Sequence, residues 1–329
     1  MAGRGLIVGI DGGGTRTRCI AVDGAGRFLG AGESGPLMGL YAGQEAAEDA
    51  LDEALGRCMA DLPEGAGAAE RVGVSVPICD RERLAAVVRA HAGDATLHWV
   101  EAEALACLAA ATDAERGLVI LSGTGSFADA VDGGTVVGHA GGFGPLLGDD
   151  GSGYAIGIGG LRAAVRASQG RGGRTALADA AREHFGVEDL WGLVERLYGE
   201  GRLPREQIAA FAPVVIQFGD GGDGVAADVV RRAAEDLADM AGAAVRQAGW
   251  YPRAFPAVLC GGVLDRSGTL RRMVEERLPE VAPRAEPVAS RFAPVVGVAM
   301  LAMGWGRAAM PDRVGNLEAT LPGVYRTGR

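Results

Sequence analysis

The sequence predicts an α/β protein in which one strand-rich unit occurs twice. A short apolar strand at residues 6–11 (LIVGID) runs directly into three consecutive glycines. The same plan of strand, glycine-rich turn, alternating strand, Asp-Gly turn and strand returns at residues 117–142. Apolar residues with helical spacing lie between and after the two copies. Two copies of one supersecondary unit indicate an internal duplication, which predicts two lobes.

The positions of the turns support this duplication. Glycine-rich turns occupy residues 11–15 and 122–126, and Asp-Gly pairs follow at residues 23–24 and 132–133. Chance similarity between two glycine-rich hairpins is the alternative, because the chain holds 55 glycines. Strand order, turn order and turn chemistry agree between the copies, and this agreement favours duplication.

The remaining elements follow from apolar periodicity. After the first turn, residues 15–23 and 27–34 predict two strands, with glycine at each turn to supply the positive φ that hairpins require. Residues 71–77 (RVGVSVP) form an apolar run typical of a strand inside a parallel sheet. We expect the tail after residue 306 to be weakly structured. The other predicted elements are helices at 43–62, 80–91, from about 102, several between 151 and 250, and 294–306, and strands at 96–100 and 254–264.

Composition limits the classes of function. The chain has 329 residues, of which 48% are hydrophobic and 22% charged, as is typical of a soluble globular protein of about two domains. Its net charge of −10 disfavours binding to nucleic acid or to anionic membranes. All 32 basic residues are arginine, which excludes a Walker A lysine, Schiff-base chemistry and a lysine base.

Cysteine usage and apolar runs indicate the compartment. The five cysteines form no CxxC pair, so the sequence predicts neither a disulfide framework nor a zinc site and indicates a reducing compartment. Charges or glycines interrupt every apolar run before it reaches the roughly 20 residues of a membrane span. The first residues also lack the basic segment and long apolar run of a signal peptide. We therefore expect a cytoplasmic protein without a membrane span.

The two glycine-rich turns have the chemistry of phosphate-binding sites. Backbone N–H groups converge in such turns and bind phosphate oxygens without any lysine. The hydroxyls of Thr15, Ser122, Thr124 or Ser126 can add donors. Asp11, at the end of the first strand, is placed to orient a hydrated Mg²⁺. A third glycine turn follows a strand at residues 260–262. A dinucleotide-binding Rossmann motif is excluded, because a strand rather than a helix follows each of the first two turns.

Four segments together resemble the BadF/BadG/BcrA/BcrD ATPase family of the acetate-kinase, sugar-kinase, heat-shock-protein and actin superfamily. They are GIDGGGTRTR (9–18), VILSGTGS (119–126), GGFGPLLGDDGSGYAIG (141–157) and LCGGVL (259–264). Within the family, the N-acetylglucosamine kinase and glucosamine kinase branch is the most similar. The resemblance extends in order over residues 6 to about 304, and the third segment is its most specific part.

The resemblance implies a two-lobed actin-like fold of duplicated ribonuclease H-like βββαβα domains, with ATP in the cleft between the lobes. We expect an N-terminal lobe at 1–115, joined by the apolar helix at about 294–306. A larger lobe with a helical insertion would cover 116–293, and 307–329 would be a tail. In the family, the first two segments bind the β- and γ-phosphates and the Gly-Gly turn faces the adenosine. The implied ATP-binding residues are Gly13, Gly14, Thr15, Gly123, Thr124, Gly125, Gly261 and Gly262.

The same resemblance implies a sugar site in the third segment. Asp149 corresponds to a carboxylate that accepts hydrogen bonds from sugar hydroxyls, and Gly142 and Phe143 lie where the family places an aromatic residue beside the sugar. Helix N-capping is the alternative for Asp150, because a helix is predicted to start near Ser152. A place in the core is the alternative for Phe143.

The catalytic base implied by the resemblance departs from the family pattern. Phosphoryl transfer needs a carboxylate to accept the hydroxyl proton. The family has an aspartate at the start of the helix before the second phosphate segment, and the stretch WVEAEALACLAAA places Glu103 there. Glutamate reaches about 1.5 Å further, a displacement that can lower the rate about 100-fold. Glu101 is the competing candidate, and a structural glutamate in the first helical turn is the alternative for both.

A second departure concerns the sugar. The family has an asparagine after the third strand, in a Ser-Gly-x-x-Asn context, and the matching residues 34–38 end in Met38. Methionine cannot hydrogen-bond a hydroxyl, and a lost polar partner changes sugar preference. Met38 stays the predicted substrate-binding position, but the resemblance supports an ATP-dependent kinase more firmly than it supports one sugar.

These observations predict an amino-sugar kinase that transfers the γ-phosphoryl group of Mg–ATP to a sugar hydroxyl, expected to be O6 of N-acetylglucosamine or glucosamine. Glu103 is the predicted base, Asp149 a sugar ligand, and Asp11 the residue that organises Mg²⁺ through water. A homodimer is expected by analogy. The alternatives are a non-catalytic nucleotide or sugar sensor and an activating ATPase of a CoA-dehydratase system. The latter would bridge an iron–sulfur cluster through cysteines, for which this sequence has no motif.

Overall fold

The structure of the protein is a computed structural model that describes residues 5–37, 43–199, 203–250, 253–304 and 311–327. Its internal contacts divide the chain into two units, and each is described by itself below. Unit 1 comprises residues 1–117, 131–136 and 288–329, and unit 2 comprises residues 118–130 and 137–287.

Strands and helices follow one another as expected of an α/β protein. The first part of the chain holds β1 (Leu6–Gly12), β2 (Thr17–Asp23), β3 (Phe28–Ser34), α1 (Gln44–Ala60), β4 (Ala69–Ser75), α2 (Arg81–Ala92), β5 (Thr96–Val100) and α3 (Glu103–Ala111). The rest holds β6 (Arg116–Ser122), β7 (Ser126–Asp132), β8 (Thr135–Gly141), α4 (Gly153–Ser168), α5 (Leu177–Phe185), α6 (Gly192–Tyr198), α7 (Arg205–Ala209), α8 (Ala212–Asp220), α9 (Gly224–Ala248), β9 (Phe255–Cys260), α10 (Gly268–Val281), β10 (Ala285–Val288), α11 (Pro294–Ala302), α12 (Pro311–Thr320) and a 3₁₀ turn (Gly323–Tyr325).

The two sheets share one strand order, which confirms the predicted duplication. The orders are β3-β2-β1-β4-β5 and, read from the opposite edge, β8-β7-β6-β9-β10. β1 is antiparallel to β2 and parallel to β4, and β6 is parallel to β9. The burial pattern of β2 matches that of β7 residue by residue, from buried Thr17 and Ser126 to half-buried Asp23 and Asp132. The duplicated hairpins therefore occupy equivalent places in two α/β sheets.

The apolar helix predicted at 294–306 packs on the sheet of unit 1, as α11. The backbone of α11 lies so close to β1 and α3 that the contact with each requires a glycine. A Cβ on Gly9 of β1 would lie 2.8 Å from the backbone nitrogen of Ala299, and a Cβ on Gly297 would lie 1.9 Å from the carbonyl oxygen of Ala106 in α3. No other residue type permits such contacts. The glycines thus let α11 cover the sheet and α3 at backbone distance.

One large apolar cluster forms the core of unit 2. It joins the inner residues of β6, β7 and β9 to the helices α4, α5, α6, α8, α9 and α10. The 25-residue helix α9 contributes a stripe of small and branched residues to this core. Asp223 caps the start of the helix by accepting hydrogen bonds from two N–H groups, and Gly249 ends it in the left-handed conformation. Within the described residues, no helix has the length and apolar character needed to cross a bilayer.

The described part of the tail, residues 311–327, is structured, so the expectation of a weakly structured segment is wrong there. Leu317 of α12 is fully buried, and Tyr325 is buried with its ring 6.2 Å from that of Phe28. The side-chain amide of Asn316 donates to the carbonyl oxygen of Ala25 at 2.8 Å. The only asparagine of the chain therefore attaches the tail to the β2–β3 turn.

Two further elements, α10 and β10, are not among those expected from the sequence. α10 contains Pro279 and a dense set of charges, yet Leu270, Val274 and Leu278 recur every four residues and are buried. That spacing was an available signal for a helix. β10 has only four residues, none of them fully buried, at the edge of the sheet. Such a strand depends on its neighbour β9 more than on its own sequence.

Candidate active site

Part of the predicted site lies at one edge of the unit 1 sheet, where the parallel strands end. Asp11 of β1 is in register with Ser75 of β4, which is in register with Val100 of β5. Because neighbouring strands lie about 4.8 Å apart, the backbones of Asp11 and Val100 lie about 10 Å apart. α3 begins at Glu103, just beyond the end of β5. The sheet therefore brings the predicted base and the predicted metal-organising carboxylate to the same edge.

Asp11 has the environment of a group that a cation would stabilise. Burial raises the pKa of Asp11 to about 6, while the nearby Arg18 favours its charged form. The Arg18 guanidinium also donates to Glu33 at 3.1 Å, so its charge is shared. In the described part of the chain, no group of three or more His, Cys, Asp or Glu side chains could hold a metal ion. A single carboxylate fits Mg²⁺, which keeps several waters and binds substrate phosphates.

The first glycine turn is closed by its own backbone. Gly13 donates its N–H to the carbonyl oxygen of Arg16 at 3.0 Å, and Leu37 donates its N–H to the carbonyl oxygen of Gly13 at 3.1 Å. A Cβ on Gly13 would meet only that Arg16 oxygen within 4 Å, so one side of the turn is open. Thr15 is exposed at the tip. Met38, the predicted sugar position, lies outside the described residues.

Glu101 and Glu103 lie in different environments. Two nitrogens of Arg81 bind the two carboxylate oxygens of Glu101, and the Arg81 guanidinium lies 5.3 Å from the ring centre of Trp99. The hydrogen bond from Arg81 lowers the pKa of Glu101, whose side chain is 69% exposed. Glu103 is half-buried in the first turn of α3, and Ala102 before it provides no side-chain cap. Glu101 is therefore part of a surface ion pair, whereas Glu103 begins the helix.

Three glycine-rich segments of unit 2 meet around Ser122, at the end of β6. Gly123 donates its N–H to the carbonyl oxygen of Gly125 at 2.9 Å, which closes the second glycine turn. Gly153, at the start of α4, donates to the carbonyl oxygen of Gly123 at 2.8 Å. Val263 donates to the carbonyl oxygen of Ser122 at 2.9 Å. The structure thus brings together the second predicted phosphate turn, the segment before α4 and the turn after β9.

The Gly-Gly turn after β9 requires glycine at its first position, Gly261. Gly261 has a φ of 97°, and a Cβ there would lie 2.6 Å from the carbonyl oxygen of Ser122. Three atoms of the Arg266 guanidinium lie 3.2, 3.6 and 3.6 Å from the position of a Cβ on Gly262. The Arg266 guanidinium therefore lies against the Gly262 end of the turn. The sequence does not identify Arg266, because this contact depends on the turn's backbone path.

Asp149 is held inside its loop. It is 4% exposed and has a φ of 57°, a conformation that aspartate and asparagine tolerate better than most residues. Ser126 donates its N–H to the carboxylate at 3.4 Å, and Arg205 lies 3.9 Å from it. Burial raises the pKa of Asp149, while the N–H groups of Ser126 and Gly144 and the charge of Arg205 favour its ionised form. Arg205 is distant in sequence and carries no motif that would identify it.

Two alternatives left open by the sequence are settled here. Ser152, not Asp150, caps α4, because its hydroxyl oxygen accepts the N–H of Ala155 at 3.1 Å. Asp150 is exposed. Phe143 is 68% exposed and is therefore not a core residue. The predicted aromatic position thus lies on an accessible loop, next to the equally exposed Gly142.

Comparison with known proteins gives the following relationships. Residues 8–302 match the model of the BadF/BadG/BcrA/BcrD ATPase family. The N-acetyl-D-glucosamine kinase of Dictyostelium discoideum is 28% identical over 312 residues, covering 91% of this chain and 98% of that protein. A provisionally named N-acetylglucosamine kinase from Chromobacterium violaceum superposes with a TM-score of 0.65 at 24% identity, covering 90% and 98% of the two chains. A ROK family glucokinase from Streptomyces griseus, solved with glucose and AMPPNP, superposes with a TM-score of 0.56 at 21% identity, covering 91% of this chain and 100% of that one.

Proposed function

The chain belongs to the BadF/BadG/BcrA/BcrD ATPase family, and from this premise we propose that it is an ATP-dependent kinase of an amino sugar. The observation that carries the proposal is the meeting, around Ser122, of the second glycine turn, the Asp149 loop and the Gly261-Gly262 turn. These three segments are the ones that family resemblance assigns to phosphate, sugar and adenosine. Their convergence in one unit is expected of a phosphotransferase site.

The nucleotide would be bound mainly by backbone groups. We propose that residues 13–15 and 123–125 bind the β- and γ-phosphates through N–H and hydroxyl groups. The turn at Gly261 and Gly262 would face the adenosine. Because the chain has no lysine, arginine is the only permanently charged cation available to the phosphates. The guanidinium over Gly262 makes Arg266 the candidate for that charge.

Transfer requires a proton acceptor and charge neutralisation. We propose that a Glu103 carboxylate oxygen accepts the proton of the sugar hydroxyl while the hydroxyl oxygen bonds to the γ-phosphorus. The bond from that phosphorus to the oxygen it shares with the β-phosphate breaks, and ADP leaves. Asp11 would hold Mg²⁺ through water, and the ion, when bound, offsets negative charge on the phosphates. The products are ADP and a sugar phosphate, with the proton on Glu103.

The sugar site is proposed on the loop 141–151. Phe143 offers an exposed ring to the apolar face of a pyranose, and Asp149 is the carboxylate for its hydroxyls. The relative from Dictyostelium is named for N-acetylglucosamine, so we propose N-acetylglucosamine or glucosamine as the acceptor, phosphorylated at O6. We further propose a homodimer, by analogy with kinases of this kind.

The test is ADP production in the presence of Mg–ATP and one sugar at a time. The panel contains glucosamine, N-acetylglucosamine, N-acetylmuramic acid, N-acetylmannosamine and glucose. We expect ADP to form at a rate that depends on an amino sugar. Nucleotide binding without sugar-dependent ADP production from any member of the panel would contradict the proposal and favour a sensor.

A further inference from the structure

A histidine–aspartate pair in unit 2 lies beside the proposed sugar loop and has no part in the mechanism above. Nδ1 of His139 on β8 lies 2.6 Å from Oδ1 of Asp129 on β7. Asp129 is 5% exposed, whereas the side chain of His139 is 47% exposed. Burial raises the pKa of Asp129, while the hydrogen bond with His139 favours its charged form. A buried carboxylate therefore orients an imidazole that remains accessible.

The backbone of His139 is held as firmly as its ring. Its N–H donates to Oε1 of Gln247 at 3.0 Å, and Nε2 of Gln247 donates to its carbonyl oxygen at 2.9 Å. β8 is an edge strand, so the Gln247 amide from α9 takes the place of a neighbouring strand. Any residue type except proline could make these two backbone contacts. The role of histidine at this position therefore depends on its imidazole ring.

The outer edge of the imidazole lies against the sugar loop. A Cβ on Gly142 would lie 3.5 Å from Cε1 and 3.7 Å from Nε2 of His139. Gly142 has a φ of 73°, so a side chain is disfavoured there on conformational grounds as well. The ring centres of His139 and Phe143 are 6.2 Å apart. The nitrogen that does not bind Asp129 is thus adjacent to two residues of the proposed acceptor site.

The contact with Asp129 selects between the two tautomers of the neutral ring. When Nδ1–H donates to the Asp129 carboxylate, the neutral ring carries a lone pair on Nε2, which accepts hydrogen bonds. We propose that His139 is a specificity-determining residue for the acceptor, whose Nε2 accepts a hydrogen bond from a sugar hydroxyl. Asp129 is a positioning residue that fixes the ring. This inference rests on the proposed function and deepens it by adding a polar contact to the proposed acceptor site.

Two variants of His139 separate the contact with sugar from the contact with Asp129. His139→Asn keeps an amide near the position of Nδ1, which can still donate to Asp129, but places no atom at the position of Nε2. His139→Gln extends an amide toward the Nε2 position. We expect His139→Asn to raise the KM for the sugar about 10-fold, the size of one hydrogen bond. The KM for ATP and the Tm should stay at wild-type values, and His139→Gln should recover part of the sugar affinity.

Asp129→Asn tests the positioning role, because the amide can still occupy the same space but no longer requires a donor on Nδ1. It should raise the KM for the sugar several-fold without changing the KM for ATP. A wild-type KM for every accepted sugar in His139→Asn overturns the inference. It is equally overturned if the Asn and Gln variants lose Tm together and raise both KM values alike, as a structural role predicts. If the wild-type protein phosphorylates no sugar, the proposed function has failed; if it does and the variants keep their KM, only this inference has failed.

Discussion

Arg81 binds both carboxylate oxygens of Glu101, with N–O distances of 3.1 and 2.7 Å. This pair links the start of α2 to the segment between β5 and α3. Glu103, two residues later, is half-buried at the first position of α3. Two glutamates of the same size and charge therefore differ in environment, and each serves as the control for the other.

Glu103→Gln is expected to lower kcat about 100- to 10,000-fold, because the amide cannot accept the hydroxyl proton. Nucleotide binding, measured by calorimetry with ADP, should be unchanged. Glu101→Gln should keep kcat within a few-fold of wild type, since an exposed ion pair contributes little. The reverse pattern, with Glu101→Gln inactive and Glu103→Gln active, would assign the base to Glu101.

Asp11→Asn is expected to abolish most Mg²⁺-dependent turnover and yet to stabilise the nucleotide-free protein at pH 8. In the folded protein Asp11 keeps its proton up to about pH 6, whereas an unfolded chain releases it near pH 3.9. Between these values the unfolded state binds fewer protons, so the free energy of unfolding falls as the pH rises. Asparagine, which resembles the protonated acid, removes this pH-dependent loss.

Urea denaturation at two pH values measures whether Asp11→Asn raises or lowers the free energy of unfolding. At pH 8 the free energy of unfolding of the Asp11→Asn variant should exceed that of wild type by about 3 kcal/mol. Toward pH 4.5 the difference should shrink, because the folded wild-type protein is then protonated at Asp11. A variant that is less stable than wild type at pH 8 would show that the carboxylate charge is compensated inside the fold.

Asp149→Asn is expected to raise the KM for the sugar about 10- to 100-fold, because a buried site that recognises hydroxyl groups depends on each polar partner. Asparagine tolerates the φ of 57° at this position, so the backbone should be kept. Asp150→Asn is the matched control, since Asp150 is adjacent but exposed. Steady-state kinetics with varied sugar measures both. Equal KM values in the two variants would remove Asp149 from the sugar site.

Tyr325→Ala is expected to lower the free energy of unfolding by about 3 kcal/mol, because a large buried aromatic side chain is removed. Tyr325 is 6% exposed, and its neighbour Val324 is 64% exposed. Val324→Ala should therefore leave stability within about 0.5 kcal/mol of wild type. Chemical denaturation of both variants gives the comparison. Equal effects would mean that the tail does not contribute to the core of unit 1.

The sequence predicts those parts of the fold whose signals are local. Alternating or continuous apolar runs identify β1 to β9, and the repeated turns identify the duplication that the two equal strand orders confirm. The tail has no such local signal. Its contacts are with residues far along the chain, such as Ala25 for Asn316 and Phe28 for Tyr325. The four-residue strand β10 pairs at the sheet edge with β9 and is too short to show a periodic pattern.

The same distinction applies to the candidate site. The glycine turns can be recognised in the sequence because a tight turn needs adjacent glycines. The side-chain pairs of the site cannot be recognised in this way. Arg205 lies 56 residues from Asp149 in the chain, and His139 contacts Asp129 from the neighbouring strand. The exposure of Phe143 was equally undecided by sequence, since an aromatic residue between glycines suits either a core or an accessible loop.

Phosphorus-31 NMR of a reaction with Mg–ATP and N-acetylglucosamine or glucosamine distinguishes a sugar kinase from an ATPase in one measurement. We expect one sugar phosphate for each ADP formed, with a proton–phosphorus coupling that places the phosphate on O6, and no growth of product signals without sugar. ADP accompanied by an equal amount of inorganic phosphate, at a rate independent of sugar, would show an ATPase and rule out the proposed kinase.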